Sequence, residues 1–412
     1  MTNTLNTPLP PFTMGVEEEY LLIDPESRDL TQRPEGFFQS CERALGTQVA
    51  RELYRAQIEI ATRVHTRPAD VRDELHELRH AIAAMASRYG VGVIAASMHP
   101  FARQLEQEVT PRKRYLDVLR DLAIAGRRLV VCGMHVHVGV EDENERIDLM
   151  NQVRYFIPHL MTLSSSSPFF EGEDTGMSGY RLTLYQECPR TGMPQRFQSW
   201  QDYRDTVDVL VKADVIQDAT KIWWDVRPSD RFPTLEMRVT DMCTRVEDSV
   251  AVASLYACLM RMLMRLKRQN QTWRAYPEML LAENRWRAMR YGVNGTLFDL
   301  GRRELVPFRY LLEELIALVA EDADALGCTK EIEHLRRIVT EGTSADRQRA
   351  VYKAAVAAGV DHDDALRAVV DHLAAETLGQ PAAEAGMPSL DLSPLAARAS
   401  PHVGIGKSAD LG

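Results

Sequence analysis

The sequence of 412 residues predicts an α+β fold, in which helices pack behind one sheet that has an apolar back and a polar front. Two observations lead to this prediction. Four separated segments alternate aliphatic residues with Glu, His or Arg, and successive side chains of a strand point to opposite faces. Elsewhere, apolar residues recur at helical spacing, as Val71, Leu75, Leu78 and Ile82 do.

The first predicted strand contains the run Gly-Val-Glu-Glu-Glu-Tyr, residues 15–20. Glu17 and Glu19 share one face of this strand, and Val16 lies on the other. Two carboxylates ~4 Å apart repel each other by on the order of 4 kcal/mol at an effective dielectric constant of about 20. A sheet keeps such a pair when a cation lies over it or when one carboxylate is protonated.

The second and third strands repeat this design. In residues 57–62, Gln57 and Glu59 share one face, with isoleucines on the other. In residues 128–140 the even-numbered positions from 130 are all apolar, whereas His135 and His137 lie on the opposite face between two glycines. Glycines on such a face leave space for a close approach.

The fourth strand, residues 233–241, places Glu236, Arg238 and Thr240 on one face. Any one of the four segments could be an ordinary half-exposed strand, because a lone polar residue on a strand is usually solvated. Four segments of the same design favour one sheet with a functional polar face.

The polar face is rich in carboxylates and poor in sulfur, a composition that suits Mg²⁺ or Mn²⁺. Mg²⁺ usually shares its coordination with nucleotide phosphates, so ATP is the predicted second ligand. The sequence contains neither a Walker-type phosphate loop nor a Gly-x-Gly-x-x-Gly run after a strand. If ATP binds, it binds to the sheet itself.

Helices are predicted between the strands. One covers residues 70–89, and another begins at Thr110 and Pro111, with Thr110 as its cap and Pro111 at its first position. Asp142 and Glu145 have the spacing of a capping box for the helix that follows the histidines.

At this point the motifs resemble a known family, the bacterial carboxylate–amine ligases of the glutamate–cysteine ligase type 2 group. The resemblance covers about residues 12–375 and rests on the motifs of residues 15–20, 133–139, 166–169 and 235–238. It implies a glutamine-synthetase-like core: a curved antiparallel sheet with helices on its outer face, and ATP with Mg²⁺ on its concave face. It also implies that ATP phosphorylates a carboxylate and that an amine then attacks the acyl phosphate, with weak joining of glutamate to cysteine.

The resemblance also implies roles for individual residues. The implied metal ligands are Glu17, Glu19, Glu52, Glu59, His135 and Glu236. Glu236 and Arg238 are the implied catalytic residues, and Arg238 with His137 would bind ATP. Strand parity argues against Glu52, because its odd spacing from Glu59 places the two on opposite faces unless a bulge or turn intervenes.

Two loop arginines, Arg181 and Arg190, are candidates for binding the carboxylate of an amino-acid substrate, because a guanidinium binds carboxylates through two hydrogen bonds. The alternative for each is an arginine in solvent. The basic, aromatic stretch of residues 284–287, with Arg290, could close over phosphates or form a helix face with extended charged side chains.

The predicted organisation is a catalytic sheet domain of residues 12–300, a helical C-terminal portion of the same unit in residues 301–376, and a disordered tail in residues 378–412. The apolar helix near residues 249–264 is predicted to be a core helix too short to cross a bilayer. The resemblance implies a homodimer.

The composition limits which cellular compartment and which kinds of partner we expect for this protein. The net charge of −10 makes nucleic acid an unfavourable partner. Six scattered cysteines without a Cys-x-x-Cys pair, and an N-terminus without a signal-peptide pattern, indicate a cytoplasmic protein with no membrane partner. Amino-acid-sized substrates are expected.

Two other functions remain open at this point. One is a metal-dependent hydrolase that uses the His135-x-His137 pair, which would need further His or Asp ligands at later strand ends. The other is a non-catalytic nucleotide-binding relative that retains the same polar face. The sequence names neither the acid nor the amine.

Overall fold

The computed structural model describes Leu9 and residues 12–380. Its strands, in chain order, are β1 (Met14–Ile23), β2 (Val49–Arg51), β3 (Gln57–Ala61), β4 (Gly92–Ile94), β5 (Met134–Gly139), β6 (Phe169–Phe170), β7 (Glu173–Asp174), β8 (Thr191–Gly192), β9 (Trp223–Trp224), β10 (Val226–Pro228), β11 (Thr234–Met237), β12 (Thr296–Asp299) and β13 (Glu304–Pro307). Seven of them form one antiparallel sheet in the order β10–β11–β5–β1–β3–β2, and β4 pairs with the second half of β1.

The helices surround this sheet. They are α1 (Phe37–Leu45), α2 (Pro68–Arg88), α3 (Lys113–Arg127), α4 (Glu143–Val153), α5 (Ile157–Ser164), α6 (Arg181–Tyr185), α7 (Trp200–Lys212), α8 (Val246–Arg268), α9 (Glu278–Tyr291), α10 (Phe308–Leu326), α11 (Thr329–Glu341), α12 (Ser344–Ala357) and α13 (His362–Thr377). The antiparallel sheet with packed helices confirms the predicted α+β class.

The register of the sheet brings the predicted polar residues together. Glu17 of β1 lies opposite His135 of β5, and Glu19 lies opposite Glu59 of β3. Glu236 of β11 lies opposite His137. Because directly opposed residues of an antiparallel pair point to the same face, these side chains converge.

The other face of the sheet is the core. The even-numbered residues of β5 are fully buried, and α2 and α8 pack across β1 and β5. Helix α8 has 23 residues, longer than the apolar run from which it was predicted, and is long and apolar enough to cross a membrane by length and composition alone. However, 83% of its most apolar window is buried inside the protein, so it is a core helix.

Helices α10 and α11 pack on α8, whereas α13 packs on α12 and β4, and the hydroxyl of Thr377 at the end of α13 accepts a hydrogen bond of 2.8 Å from the Ala95 amide beside β4. Helical structure begins at Phe308 rather than at 301, because the β12–β13 hairpin comes first. The predicted disordered tail falls largely on residues 381–412, which lie outside the described residues.

Two local predictions are corrected and one is confirmed. Helix α3 begins at Lys113, and Thr110 is not its cap, because the Thr110 hydroxyl donates to the Glu52 carbonyl instead. Strand β5 begins at Met134, several residues later than predicted. Asp142 caps α4 as predicted, since its side chain accepts from the Glu145 amide at 2.8 Å.

The middle glutamate of the acidic run has a separate role. Glu18 points into the core, where both of its carboxylate oxygens accept hydrogen bonds from Arg79 of α2, at 2.7 and 2.8 Å. The Tyr20 hydroxyl and the Ser249 hydroxyl also donate to it. Both charged side chains are essentially inaccessible to solvent, so this carboxylate joins β1 to α2 and α8.

Replacing Glu18 by Gln should lower the free energy of unfolding by about 3 kcal/mol or more, because the variant leaves the Arg79 guanidinium buried without a counter-charge. Urea denaturation monitored by circular dichroism measures this loss. An unchanged unfolding midpoint and slope would contradict the structural role of the pair.

Candidate active site

A cleft of about 260 Å³ lies over the polar face of the sheet. Strands β1, β3, β5 and β11 form its floor, and α3 with the segments around β9 and β10 form its walls. The predicted metal, ATP-binding and catalytic residues all line it: Glu17, Glu19, Glu52, Glu59, His135, His137, Glu236 and Arg238. Four strands from distant parts of the chain therefore build one basin.

One group of possible metal ligands consists of Glu17, His135 and Glu236, whose ligand atoms all lie within 4.8 Å of one another. His135 Nδ1 lies 3.2 Å from a Glu17 oxygen, and His137 Nε2 lies 3.5 Å from the other. Burial alone would raise the pKa of Glu17, but the two imidazoles outweigh it and lower that pKa to about 2. Burial, together with the charge of Arg238, lowers the pKa of His135 to about 4. His135 is therefore a neutral ring in the metal-free cleft.

A second group consists of Glu19, Glu52 and Glu59, again with ligand atoms within 4.8 Å of one another. Burial and the neighbouring charge of Glu52 raise the pKa of Glu19 to about 8, although the Gly133 amide donates to Glu19 at 2.7 Å. Burial and the adjacent carboxylates raise the pKa of Glu59 well above its usual range. Without a cation, this end of the cleft relieves its repulsion by keeping protons.

The parity argument against Glu52 is wrong. Glu52 and Glu59 belong to different strands, because the chain leaves β2 at Arg51 and turns before β3 begins at Gln57. Ala50 is the residue opposite Glu59, so Glu52, two positions later, has the same parity as Ala50. Counting along the sequence fails across such a turn.

The first group is balanced by arginines. Arg227 of β10 donates to Glu236 at 2.9 Å, and Arg238 forms a short ion pair with the other Glu236 oxygen. Burial raises the pKa of Glu236, but the charges of Arg227 and Arg238 outweigh it and hold that pKa well below its usual range. The cleft thus has a cation-rich end at β10–β11 and a carboxylate-rich end at β2–β3.

The donor set fits divalent cations. The carboxylates of Glu19, Glu52 and Glu59 are crowded, and the pKa values of Glu19 and Glu59 are raised. A cation bound among the three would relieve their repulsion. The two groups together contain five glutamates and one histidine, a hard-oxygen set of the kind preferred by Mg²⁺ and Mn²⁺. The hydrolase alternative required further His or Asp ligands, and the two groups found among the described residues contain one His and no Asp.

Arg181 lies beside the cleft rather than on its wall. Its guanidinium covers Gly133, where an added Cβ would lie 2.3 Å from Nη2, so this glycine makes room for a protein side chain. Arg181 is 2% exposed, its nearest carboxylate is Asp241 at 3.7 Å, and its Nε has no hydrogen-bond partner in the structure. A gap of about 20 Å³ is lined by Arg181 together with Tyr185, Trp223 and Arg238, and Arg181 Nη2 donates to the Arg238 carbonyl at 3.3 Å.

The structure does not bring Arg190 to the cleft. Its Nε donates to the Lys221 carbonyl at 3.0 Å, and its guanidinium lies 5.7 Å from the ring centre of Trp223. Lys221 and Trp223 do line the cleft, so Arg190 supports its wall. Its geometry therefore does not favour direct contact with a substrate.

Sequence reasoning missed several residues of the cation-rich end. Arg227 had a detectable signal, because it alternates with Val226 and Pro228 in the same pattern as the four predicted strands. Arg231 and Lys221 lie in loops and had none. Sequence reasoning therefore fails most often for cleft residues whose position depends on a turn.

In the stretch of residues 284–287, Arg285 fits neither of the two interpretations, whereas Trp286 and Arg290 are exposed on helix α9. Arg285 is buried, and its guanidinium donates two hydrogen bonds to Asp225, at 2.8 and 3.0 Å, and one to the Met289 sulfur. The Asp225 carbonyl in turn accepts hydrogen bonds from the amides of Arg238 and Val239, the shorter at 2.8 Å. Arg285 thus holds the backbone that presents Arg238, and it neither closes over phosphates nor extends into solvent.

Comparison with known proteins agrees with this geometry. The family model described as glutamate–cysteine ligase family 2 matches residues 13–372. A protein of Rhodospirillum rubrum, provisionally named glutamate–cysteine ligase 2, is 50% identical over 384 residues, which cover 92% of this chain and 99% of that protein. A relative from Jannaschia sp. with the same provisional name is 48% identical over 362 residues, 88% of this chain and 96% of its own.

A solved structure extends the comparison to the fold. The glutamate–cysteine ligase of Francisella tularensis, in complex with AMP, superimposes with a TM-score of 0.66 over 94% of this chain and 92% of that chain. At 12% identity this is a likeness of fold. The fold and the family resemblance predicted from the motifs are both confirmed.

Substitutions at the two ends of the cleft should have different effects on stability. Glu59→Gln should change the free energy of unfolding by less than about 1 kcal/mol, because burial and the adjacent carboxylates raise the pKa of Glu59 and favour the protonated acid, which Gln resembles. Glu236→Gln should lose about 3 kcal/mol, because it leaves Arg227 and Arg238 without their counter-charge. Urea denaturation in EDTA at pH 7 compares them, and equal losses would contradict the opposite charge balance of the two ends.

Proposed function

We infer the function of this protein from one premise: the chain belongs to glutamate–cysteine ligase family 2. It is an ATP-dependent carboxylate–amine ligase, which joins an acid to an amine as an amide. One observation connects this function to individual residues: both groups of possible metal ligands and Arg238 lie on the floor of the same cleft.

We propose that Glu17, His135 and Glu236 hold one divalent cation, and that Glu19, Glu52 and Glu59 hold a second. Mg²⁺ is the proposed ion, with Mn²⁺ as a substitute, because carboxylate oxygens dominate both groups. When bound, such ions neutralise and align the phosphates of ATP. The proposal is supported by the convergence of five carboxylates and one imidazole on one cleft floor, where the carboxylates would otherwise repel one another.

The chain's own residues would position the reacting groups. The acid's carboxylate oxygen attacks the γ-phosphorus of ATP, and ADP leaves; the amine nitrogen then attacks the acyl carbon, phosphate leaves, and the nitrogen loses a proton. Arg238, held by Glu236, presents a guanidinium in the cleft where charge develops on the transferred phosphoryl group. His137 lines the cleft with an Nε2 that makes no hydrogen bond in the structure, so it is available to a phosphate oxygen.

We propose glutamate as the acid and cysteine as the amine, the pair that the family description names. Arg181 is the proposed partner of the acid's free carboxylate, because its Nε lacks a partner and it lines a small gap together with the cleft residues Tyr185 and Arg238. The proposed setting is a cytoplasmic homodimer that acts on small amino acids rather than on nucleic acid or membranes. Six buried, unpaired cysteines are compatible with a reducing compartment.

The proposed activity requires ATP, a divalent cation, an acid and an amine together. Purified protein with ATP, MgCl₂, glutamate and cysteine should release phosphate and form one amide per phosphate, and Glu59→Gln should lower this rate by at least a hundredfold. Chromatographic detection of the amide beside a phosphate assay measures both quantities. Wild-type turnover in Glu59→Gln, or full turnover without nucleotide, would overturn the assignment of the metal sites.

Arg181→Ala should raise the KM for the acid substrate by about tenfold or more, since one charge-assisted hydrogen-bonded contact contributes roughly 1.5–3 kcal/mol. The KM for ATP should change by less than about twofold. Arg190→Ala is the matched control, because Arg190 lies outside the cleft lining. Equal changes in both KM values of Arg181→Ala would remove Arg181 from the substrate site.

A further inference from the structure

Three arginines without an acceptor converge at a shallow depression that shares no residue with the catalytic cleft. Arg154 follows α4, Arg196 precedes α7, and Arg274 precedes α9. No side-chain hydrogen bond or ion pair joins any of the three to another residue within the described part of the chain. This differs from the other deeply buried arginines of the core, such as Arg79 and Arg285, which each hold a carboxylate.

Arg154 forms the floor of the depression. The residue is 4% exposed, and its Nε is buried without a hydrogen-bond partner. Burial lowers the pKa of Arg154; the carboxylate of Glu278 opposes this shift from beyond ion-pair distance, and Arg196 adds to it. A buried guanidinium with an unused donor is costly, so the site is incomplete without an acceptor.

The side walls are built by hydrogen bonds from neighbouring residues of α4. Asn151 donates to the Phe197 carbonyl at 2.7 Å and accepts from the Phe197 amide at 3.2 Å, which anchors the loop that carries Arg196. The side-chain carbonyl of Gln152 accepts from the Trp273 amide at 2.7 Å, which anchors the loop that carries Arg274.

An aromatic contact orients the third arginine. The guanidinium of Arg274 lies 5.4 Å from the ring centre of Tyr276, and that ring packs against Tyr155 at the edge of the depression. Arg196 and Arg274 are exposed, whereas Arg154 is not. The depression therefore presents one buried and two accessible guanidinium groups to the same space.

We propose that this depression is a binding site for a phosphate-class oxyanion. Guanidinium groups bind phosphate oxygens through paired hydrogen bonds, and three of them match a tetrahedral dianion better than a planar carboxylate. The enclosed space is about 10 Å³, room for one oxygen-sized atom beside Arg154. The site therefore takes a single phosphate group, seated with one oxygen on Arg154, and not a nucleotide.

Inorganic phosphate tests the site directly. Binding is measured by calorimetry and by thermal unfolding without metal or nucleotide, at constant ionic strength. Wild-type protein should show saturable stabilisation by phosphate, and acetate should bind at least fivefold more weakly. In Arg154→Met the phosphate affinity should fall at least tenfold, while the unfolding temperature without phosphate should stay equal or rise, because an unpaired buried charge has been removed.

Two further variants separate this site from the catalytic cleft. Arg274→Gln changes an exposed residue, should fold normally, and should weaken phosphate binding severalfold; it also serves as the test if Arg154→Met does not fold. Arg238→Gln should bind phosphate at this site as the wild type does. No saturable binding, wild-type binding in both depression variants, or loss of binding in Arg238→Gln would each overturn the proposal.

Discussion

Repulsion among carboxylates is the constraint on which the rest of this structure depends. Four glutamates from three strands and one from the turn after β2 share the floor of one cleft. The protein resolves the repulsion differently at the two ends. At β10–β11, imidazoles and arginines lower the pKa values of Glu17 and Glu236. At β2–β3 the His135 ring lies 3.9 Å from Glu19, but burial and the neighbouring carboxylates dominate, and the pKa values of Glu19 and Glu59 rise.

This asymmetry gives the cleft a direction. A divalent cation at the carboxylate-rich end would displace protons and relieve repulsion, whereas a cation at the other end would share Glu236 with two arginines. The arginine-rich end is the electrostatic complement of a triphosphate. The same floor can therefore bind cations and polyanions side by side, as phosphoryl transfer requires.

A rigid back supports the charged front. Helices α2 and α8 bury the apolar face, and the Glu18–Arg79 pair joins both of them to β1. The Arg285–Asp225 pair stabilises the segment in which the Asp225 carbonyl accepts a hydrogen bond from the Arg238 amide. These buried ion pairs fix the backbone that carries the charged residues of the cleft, although the paired residues themselves do not line the cleft.

The sequence alone determined the strand faces, because period-two alternation depends only on backbone geometry, and the family, because its motifs are short and contiguous. It therefore predicted the β1, β3, β5 and β11 residues that line the cleft. Only the tertiary structure decided the contribution of Glu52, the ion pair of Glu18 with Arg79, the exclusion of Arg190 from the cleft lining, and the ion pair of Arg285 with Asp225. Each of these depends on a turn or a long-range ion pair, and residue spacing along the chain carries no information about such contacts.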